Sequence, residues 1–531
     1  MSRCITVVSA FLLSTASFYA VSLPLTPLDS RSIGMGGTGV AAARTAQAAR
    51  FNPALLSFAD DDEDFSLILP QFGFSAADEQ ELFDSITDFV DADYVDLFET
   101  SIDSIRASVS SVTDDAPAIE SAASSRDIAA LQTAVDSLDT VVTALNSETI
   151  TVDQNTNALI VSLDSLSNKS VRGKLGGNFA MAFPSQDFGM AFTINAELDF
   201  SGVLMITQND LDLLDVYSDA ATAYSAGLVD YSTAASDLLT ATTNLNDAIN
   251  NGDPPATIAT LQAAADSALT AFDNAEAALE NFNYGGTATP ADPNDGNKVI
   301  FSNGELAGDA DDVDLTSSGH FIAVTTTEFG WSLSKSFRVG DQALAIGITP
   351  KLQQFELYDY FYQVEDDEDI DFDDVLDAKV SEDAFNIDIG VVQSFGSESQ
   401  WRVGLVARNL IKQEFQTALG ADVEISPQFR AGLAYNWGWL TLAADYDLTE
   451  NDAVAFGSTT QYAMFGAEMD VFEVMQLRLG YRSDTANSGF DSYSVGLGFS
   501  PFGVHLDVSG FVNTTNADNE AGVAVEFGIE W

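Results

Sequence analysis

Residues 522–531 read GVAVEFGIEW, and the placement of their side chains decides the fold. Successive side chains of an extended chain point to opposite sides, so Val523, Val525, Phe527, Ile529 and Trp531 share one face while Ala524, Glu526, Gly528 and Glu530 share the other. Ten residues with one greasy face and one small or acidic face are the pattern of a strand between lipid and a polar lumen. The same alternation recurs upstream. Phe502, Val504, Leu506 and Val508 oppose His505, Asp507 and Ser509; Met475, Leu477, Leu479 and Tyr481 oppose Gln476, Arg478, Gly480 and Arg482; Phe429, Ala431, Leu433 and Tyr435 oppose Gln428, Arg430, Gly432 and Ala434. A soluble sandwich would turn the greasy face inward, and alternation alone does not say which face meets lipid.

Connection lengths separate the two. Fourteen candidate strands start near Phe65, Val171, Phe188, Phe321, Ala343, Phe385, Trp401, Pro427, Trp439, Tyr462, Met475, Ser492, Phe502 and Gly522. Tight turns, such as Pro184 to Asp187, Arg338 to Gln342 and Gly396 to Ser399, alternate with longer stretches. Outer-membrane barrels have this asymmetry, with short periplasmic turns, longer extracellular loops and an even strand number. The expected fold is therefore an all-β transmembrane barrel of about 14 antiparallel strands over residues 59–531, in the outer membrane of a Gram-negative bacterium. Trp401, Tyr435, Trp437, Trp439 and Tyr481 suit an interfacial aromatic girdle. Phe527, Ile529 and Trp531 are the expected C-terminal signal for the barrel-assembly machinery, and lipid with lipopolysaccharide is the expected surrounding.

Composition narrows the function classes. With 81 acidic against 20 basic residues, the formal net charge is −61, which repels phosphate backbones, so no nucleic-acid partner is expected. Apolar residues make up 46% of the chain, yet no run of about eighteen follows the N-terminus, so helical spans are not expected. Residues 1–22 carry Arg3, the apolar run Ile5 to Leu13 and the small residues Ala20-Val21-Ser22, which reads as a cleaved secretory signal. The only cysteine, Cys4, lies inside it. The two histidines, His320 and His505, offer little to catalysis, since His505, Asp507 and Ser509 follow one strand face instead of converging. No enzyme activity, catalytic residue, cofactor or metal is expected. The acidic runs Asp60 to Asp64, Asp309 to Asp314 and Glu365 to Asp374 lack the glycine-punctuated spacing of a calcium loop and read as solvated loops.

The two longest connections, 78–168 and 209–283, have helical periodicity. Ile128, Leu131, Val135, Leu138, Val142 and Leu145 step by three and four, a heptad seam. Tyr217, Ala221, Tyr224, Leu228 and Tyr231 begin a second stripe, Ala265, Ala268, Phe272 and Leu279 lie on a third, and Asn250 to Pro255 supplies the turn of an antiparallel hairpin. By strand parity these coiled-coil-like insertions face the cell exterior, where they could meet an extracellular partner or act as a plain cap.

The N-terminal segment, residues 23–58, is different again. From Asp29 to Leu56 it reads DSRSIGMGGTGVAAARTAQAARFNPALL. Gly34, Gly36 and Gly39 match the literal dinucleotide fingerprint, with Gly37 between, but neither a preceding strand nor a βαβ unit supplies its context. SIGMGGTGVAAA followed by ARFNPALL resembles the N-terminal region of FadL-like outer-membrane transporters of long-chain fatty acids and hydrocarbons, and resembles more closely the family labelled conjugal transfer protein TraF. VRGKLGGNFAMAFPSQDFGMAFTINAELDFSG, from Val171 to Gly202, resembles the early hairpin of the latter. The resemblance implies a fourteen-stranded barrel with a luminal hatch, built here from Arg31, Gly34, Gly36, Gly37, Gly39, Arg44, Arg50, Asn52 and Pro53. Inward Glu197, Asp199, Asp388, Asp445, Asp447, Glu526 and Glu530 could meet the hatch arginines, with Arg402, Arg408, Arg430 and Arg478 balancing part of that set; a water-filled lumen with screened charges is the alternative. Two functions follow from the resemblance: hatch-gated passive transport of a hydrophobic small molecule, or a conjugal-transfer or envelope role without transport. The first needs an apolar pocket between hatch and wall, the second a packed lumen with its binding surface on the helices.

Overall fold

Period-two alternation leaves each strand with backbone donors and acceptors on both edges, and only closure satisfies all of them away from water. The computed structural model describes residues 28–58, 64–78, 80–109, 112, 116–285, 298–308, 316–339, 342–363, 379–396, 399–452, 454–472, 474–487 and 490–530. The expected signal, the acidic runs apart from Asp64, and Trp531 lie outside these residues.

Fourteen strands close the ring: β1 Ser66–Ala77, β2 Ser170–Phe183, β3 Phe188–Met205, β4 Ser318–Val339, β5 Gln342–Gln363, β6 Lys379–Phe395, β7 Trp401–Arg408, β8 Gln428–Trp437, β9 Leu440–Asp447, β10 Tyr462–Val471, β11 Met475–Asp484, β12 Ser492–Phe499, β13 Val504–Asn513 and β14 Glu520–Glu530. Each pairs antiparallel with its neighbour in sequence, and β14 returns to β1 with Val523 opposite Phe74. The greasy face is outside: Leu479 is 64% exposed where the adjacent Arg478 is 1%. One local expectation shifts. Phe502 is not a strand residue but the fully exposed, left-handed centre of the turn Pro501–Gly503.

Wall height is uneven, since β3 to β6 have 18, 22, 22 and 17 residues while β7 and β9 have eight each. Aromatic rings mark both ends. At the short-turn end Trp401 lies 4.6 Å from Tyr435 and Trp437 6.3 Å from Trp439, and at the long-connection end Tyr481 lies 5.3 Å from Tyr493.

Both long connections are helical. Between β1 and β2 run α3 Leu82–Asp91, α4 Tyr94–Val109, α5 Ala116–Ser125 and α6 Ile128–Leu166; between β3 and β4 run α7 Gln208–Asn250 and α8 Pro255–Glu280, numbered after two short N-terminal helices, α1 Ser30–Gly34 and α2 Thr45–Phe51. Asp127 caps α6 by accepting the Ala130 amide. The apolar stripes meet in one buried cluster that joins Leu131, Leu138 and Leu145 of α6 to Tyr217, Tyr224 and Tyr231 of α7. Phe98 meets Tyr217 edge-on at 5.5 Å, and Tyr231 stacks on Phe272 at 5.1 Å, so α4, α7 and α8 share that core. Helix α6 is long and apolar enough to cross a membrane by length and composition, which the sequence reading did not expect. Its apolar seam is spent on α7 instead, and Asp136, Asp139 and Glu148 line its length.

The mouth at this end is filled as well. A small hairpin, Gln413–Gln416 with Asp422–Ile425, packs Val423 and Ile425 against the inner faces of β4 and β5 through Ile322, Val324, Phe355 and Leu357.

Candidate functional site

The lumen holds the N-terminal segment, and glycine on the wall is what lets it lie there. Side chains at inward positions would fill the space the segment occupies, so the wall is bare where the backbone crosses. A Cβ built on Gly73 would stand 2.6 Å from the Leu28 carbonyl oxygen, and one on Gly404 would stand 2.6 Å from that of Val40. Gly480 and Gly466 face Met35 and Gly36, and Gly390 and Gly347 face the Asn52-Pro53-Ala54 run in the same way. Gly36 is constrained twice, by φ +71° and by the Phe465 carbonyl, which a Cβ would meet at 2.7 Å. Gly34 touches wall Gly496, Gly37 has φ +96°, and Gly39 leaves room for the Phe51 ring of α2.

Polar groups then fix the register. Asp29 caps α1 by accepting the Ser32 amide at 2.7 Å. Arg31 forks onto Glu468 with bonds of 2.9 and 2.8 Å and donates to the Ala42 carbonyl at 2.6 Å. Arg478 reaches the same Glu468 at 2.6 Å and also binds Asp507, while Arg44 stands 3.8 Å from Glu468. Arg50 pairs with Glu197, which Lys174 shares at 2.9 Å together with Asp199 at 3.3 Å. Asp445 takes no arginine of the segment; it accepts the Gly39 and Val40 amides at 2.7 and 2.9 Å. The Gly36 amide donates to Ser494 at 3.0 Å and the Gln47 amide to Glu526 at 2.8 Å. Asn52 caps the turn that Pro53 begins and donates to the Val40 carbonyl at 3.0 Å.

Of the other expected lumen charges, Asp388 and Arg430 pair within the wall and Arg402 turns to the end of the segment. Asp388 receives Lys351 at 3.1 Å and the Asn409 amide at 2.8 Å; Arg430 binds Asp447 at 2.5 Å; Arg402 lies over the Phe58 ring at 5.4 Å. On the outer face, Phe527 is exposed and Ile529 pairs with Leu67 and Val504. Glu468, Lys174, Glu328 and Lys351 carry much of this network and were missed. Glu468 had a readable signal, since it shares inward parity with Met464 and Gly466.

Cavities flank the segment toward both ends of the barrel. One of about 70 Å³ lies toward the helical end between Leu28 and Ile33 of the segment and Phe200, Tyr462 and Phe511 of the wall, with Arg172, Lys174 and Arg482 at its edge. Arg482 lies over both aromatic rings, 4.6 Å from Tyr462 and 4.9 Å from Phe511, and pairs with Glu520 at 2.7 Å. The second, about 250 Å³ and polar, opens at the short-turn end beside Arg44, Arg402, Glu468 and Glu530.

In the sequence comparison, residues 49–447 match the family described as F plasmid transfer operon, TraF, protein. The chain belongs to the TraF family. No curated protein matches this TraF-family sequence. Solved structures similar to the TraF-family chain include the Ralstonia pickettii toluene transporter TbuX, with 10% identity, 96% of this chain and 99% of that chain covered, and a TM-score of 0.42. The P. putida toluene transporter TodX follows at 9% identity, 96% and 99% covered and TM-score 0.40, and a Pseudomonas aeruginosa FadL homologue at 8%, 97% and 99% covered and 0.40. Likeness at this level assigns neither substrate nor mechanism.

Nucleotide and triad readings find no geometry in this TraF-family lumen. The Gly36, Gly39 and Val40 amides, which would cradle a phosphate, are taken by Ser494 and Asp445. Asp507 is held by Arg478, and Ser509 meets Ser30 at 3.2 Å instead of the His505 imidazole four residues away.

Proposed function

We propose that the chain is an outer-membrane protein whose N-terminal segment is a hatch controlling passage of small hydrophobic molecules. One observation carries this reading: the segment sits on bare wall glycines and is tied mainly by side chains, leaving an apolar-lined cavity between Leu28, Ile33, Phe200 and Phe511. Contacts of that kind release one by one, whereas a strand ladder would have to part as a unit. The cavity is small and the mouth above it is packed, so passage requires the segment to shift. Uptake of labelled hydrophobic ligands into liposomes, with and without residues 29–56, tests this. Faster flux from the deleted barrel is expected, and no ligand-dependent flux from either folded barrel retires the proposal.

A second reading is favoured by the helical module, which has a core of its own and offers a large surface apart from the lumen. In it the protein serves conjugal transfer or envelope contacts without transport. Loss of that function on removing the helices, with flux absent throughout, would select it.

A further inference from the structure

Buried carboxylates directly opposite one another across a strand pair repel unless something positive stands between them. Asp507 of β13 faces Glu526 of β14 in register, and each is 1% exposed. Of these two carboxylates Arg478 answers only Asp507, and it divides its charge with Glu468. No lysine or arginine among the described residues bridges Glu526, whose Oε1 accepts the neutral side-chain amide of Gln47 at 2.8 Å and has the His505 imidazole beside it. His505, the next inward position on β13, lies over Gly528, the residue opposite it, where any Cβ would collide with the imidazole. Glu526 Oε2, Asp507 Oδ2 and His505 Nδ1 are buried without a hydrogen-bond partner.

From this geometry we infer that His505, Asp507 and Glu526 form a divalent-metal site between the barrel wall and the N-terminal segment. One ligand atom from each of the three residues lies within 4.8 Å of the others. The Nε2 of His505 stands 3.4 Å from Oε1 of Glu526. Two ligand atoms about 2.0–2.1 Å from one tetrahedral metal stand roughly 3.4 Å apart, so this edge already has the required length. One imidazole with two carboxylates suits Zn²⁺ or a neighbouring transition metal better than Ca²⁺, which takes oxygen ligands. The fourth position falls to water. A bound ion would hold Glu526 in the orientation that receives Gln47 of α2, and so fasten the segment to the wall. This site does not depend on whether anything passes through the barrel.

The test uses the full chain in detergent, stripped with a chelator and titrated with Zn²⁺ under equilibrium dialysis. Expected are one tightly held equivalent, binding at least tenfold weaker in His505→Ala and in Glu526→Gln, and slower tryptic cleavage after Arg44 and Arg50 when zinc is bound. Exposed Glu414→Gln should leave binding unchanged. Equal binding by His505→Ala, or no tight equivalent in the folded barrel, overturns the site. Co²⁺ spectra of the unmodified chain keep the test independent of variant folding: bands of a four-coordinate nitrogen–oxygen site are expected, and an all-oxygen spectrum refutes it.

Discussion

Hydrogen in place of a methyl group is what separates a seated segment from an expelled one. Gly404→Ala puts a Cβ 2.6 Å from the Val40 carbonyl oxygen, in a place where neither wall nor segment has slack. Overpacking of that kind costs about 1–3 kcal/mol, charged here to the segment more than to the ladder. Tryptic cleavage after Arg44 and Arg50 should therefore quicken severalfold while the barrel's own unfolding temperature barely moves; unchanged cleavage would show that the segment is held elsewhere. Residues of this sort were half legible in the sequence. The glycines of the segment were visible as a motif, but the wall glycines receiving them are scattered across the chain and acquire meaning only through register. The same holds for Arg31: its charge could be read, whereas its partner Glu468 lies 437 residues away.

Among the elements, strands were readable because alternation is a local property, and the observed β1, β7 and β12 start within a residue of Phe65, Trp401 and Ser492. Helix seams were readable for the same reason. What each seam faces is not local, and the core shared by α6 and α7 was invisible. Deleting 208–283 alone should bare Leu131, Leu138 and Leu145, giving a barrel that aggregates in detergent, whereas removing the helices of both connections should restore monodispersity; size-exclusion profiles decide. At the start of α7 burial alone would raise the Asp210 carboxyl, but hydrogen bonds from Ser317 and Thr316 hold it below its ordinary 3.8. A depressed carboxyl contributes its stability in full above the ordinary value and loses it as pH falls through the folded-state value. Amide exchange in the first turn of α7 should accelerate below about pH 4, with no such step between pH 5 and 7. Asp210→Asn should abolish the step.

Across the whole molecule, charge is sorted by compartment. Arg31, Arg44, Arg50, Lys174, Lys351, Arg408, Arg430, Arg478 and Arg482 sit in the lumen, drawn from a total of only 20 basic residues. Between Gln208 and Glu280, by contrast, twelve acidic residues stand without one lysine or arginine. Helix α7 has 43 residues and is about 64 Å long at 1.5 Å per residue, so its far turn at Asn250 to Pro255 is the accessible landmark for orientation. Protease added to intact cells should cut there; cleavage only after the outer membrane is breached would invert the topology.

The uneven ring has a consequence for its surroundings. A strand crosses a bilayer in about 9–11 residues, so β4 and β5, at 22 each, carry surplus rows that their short counterparts β7 and β9 lack. On the outer face Leu344, Ile346, Ile348 and Leu352 give way to Gln354 and Glu356, and Glu356 pairs with Lys379 of β6 beside the outward Ser381 and Asp383, so the surplus rows stand in water beyond the apolar band. The tall flank therefore projects past the acyl chains as a one-sided parapet, and the rim of the mouth is high beside β4 and β5 and low beside β7 and β9.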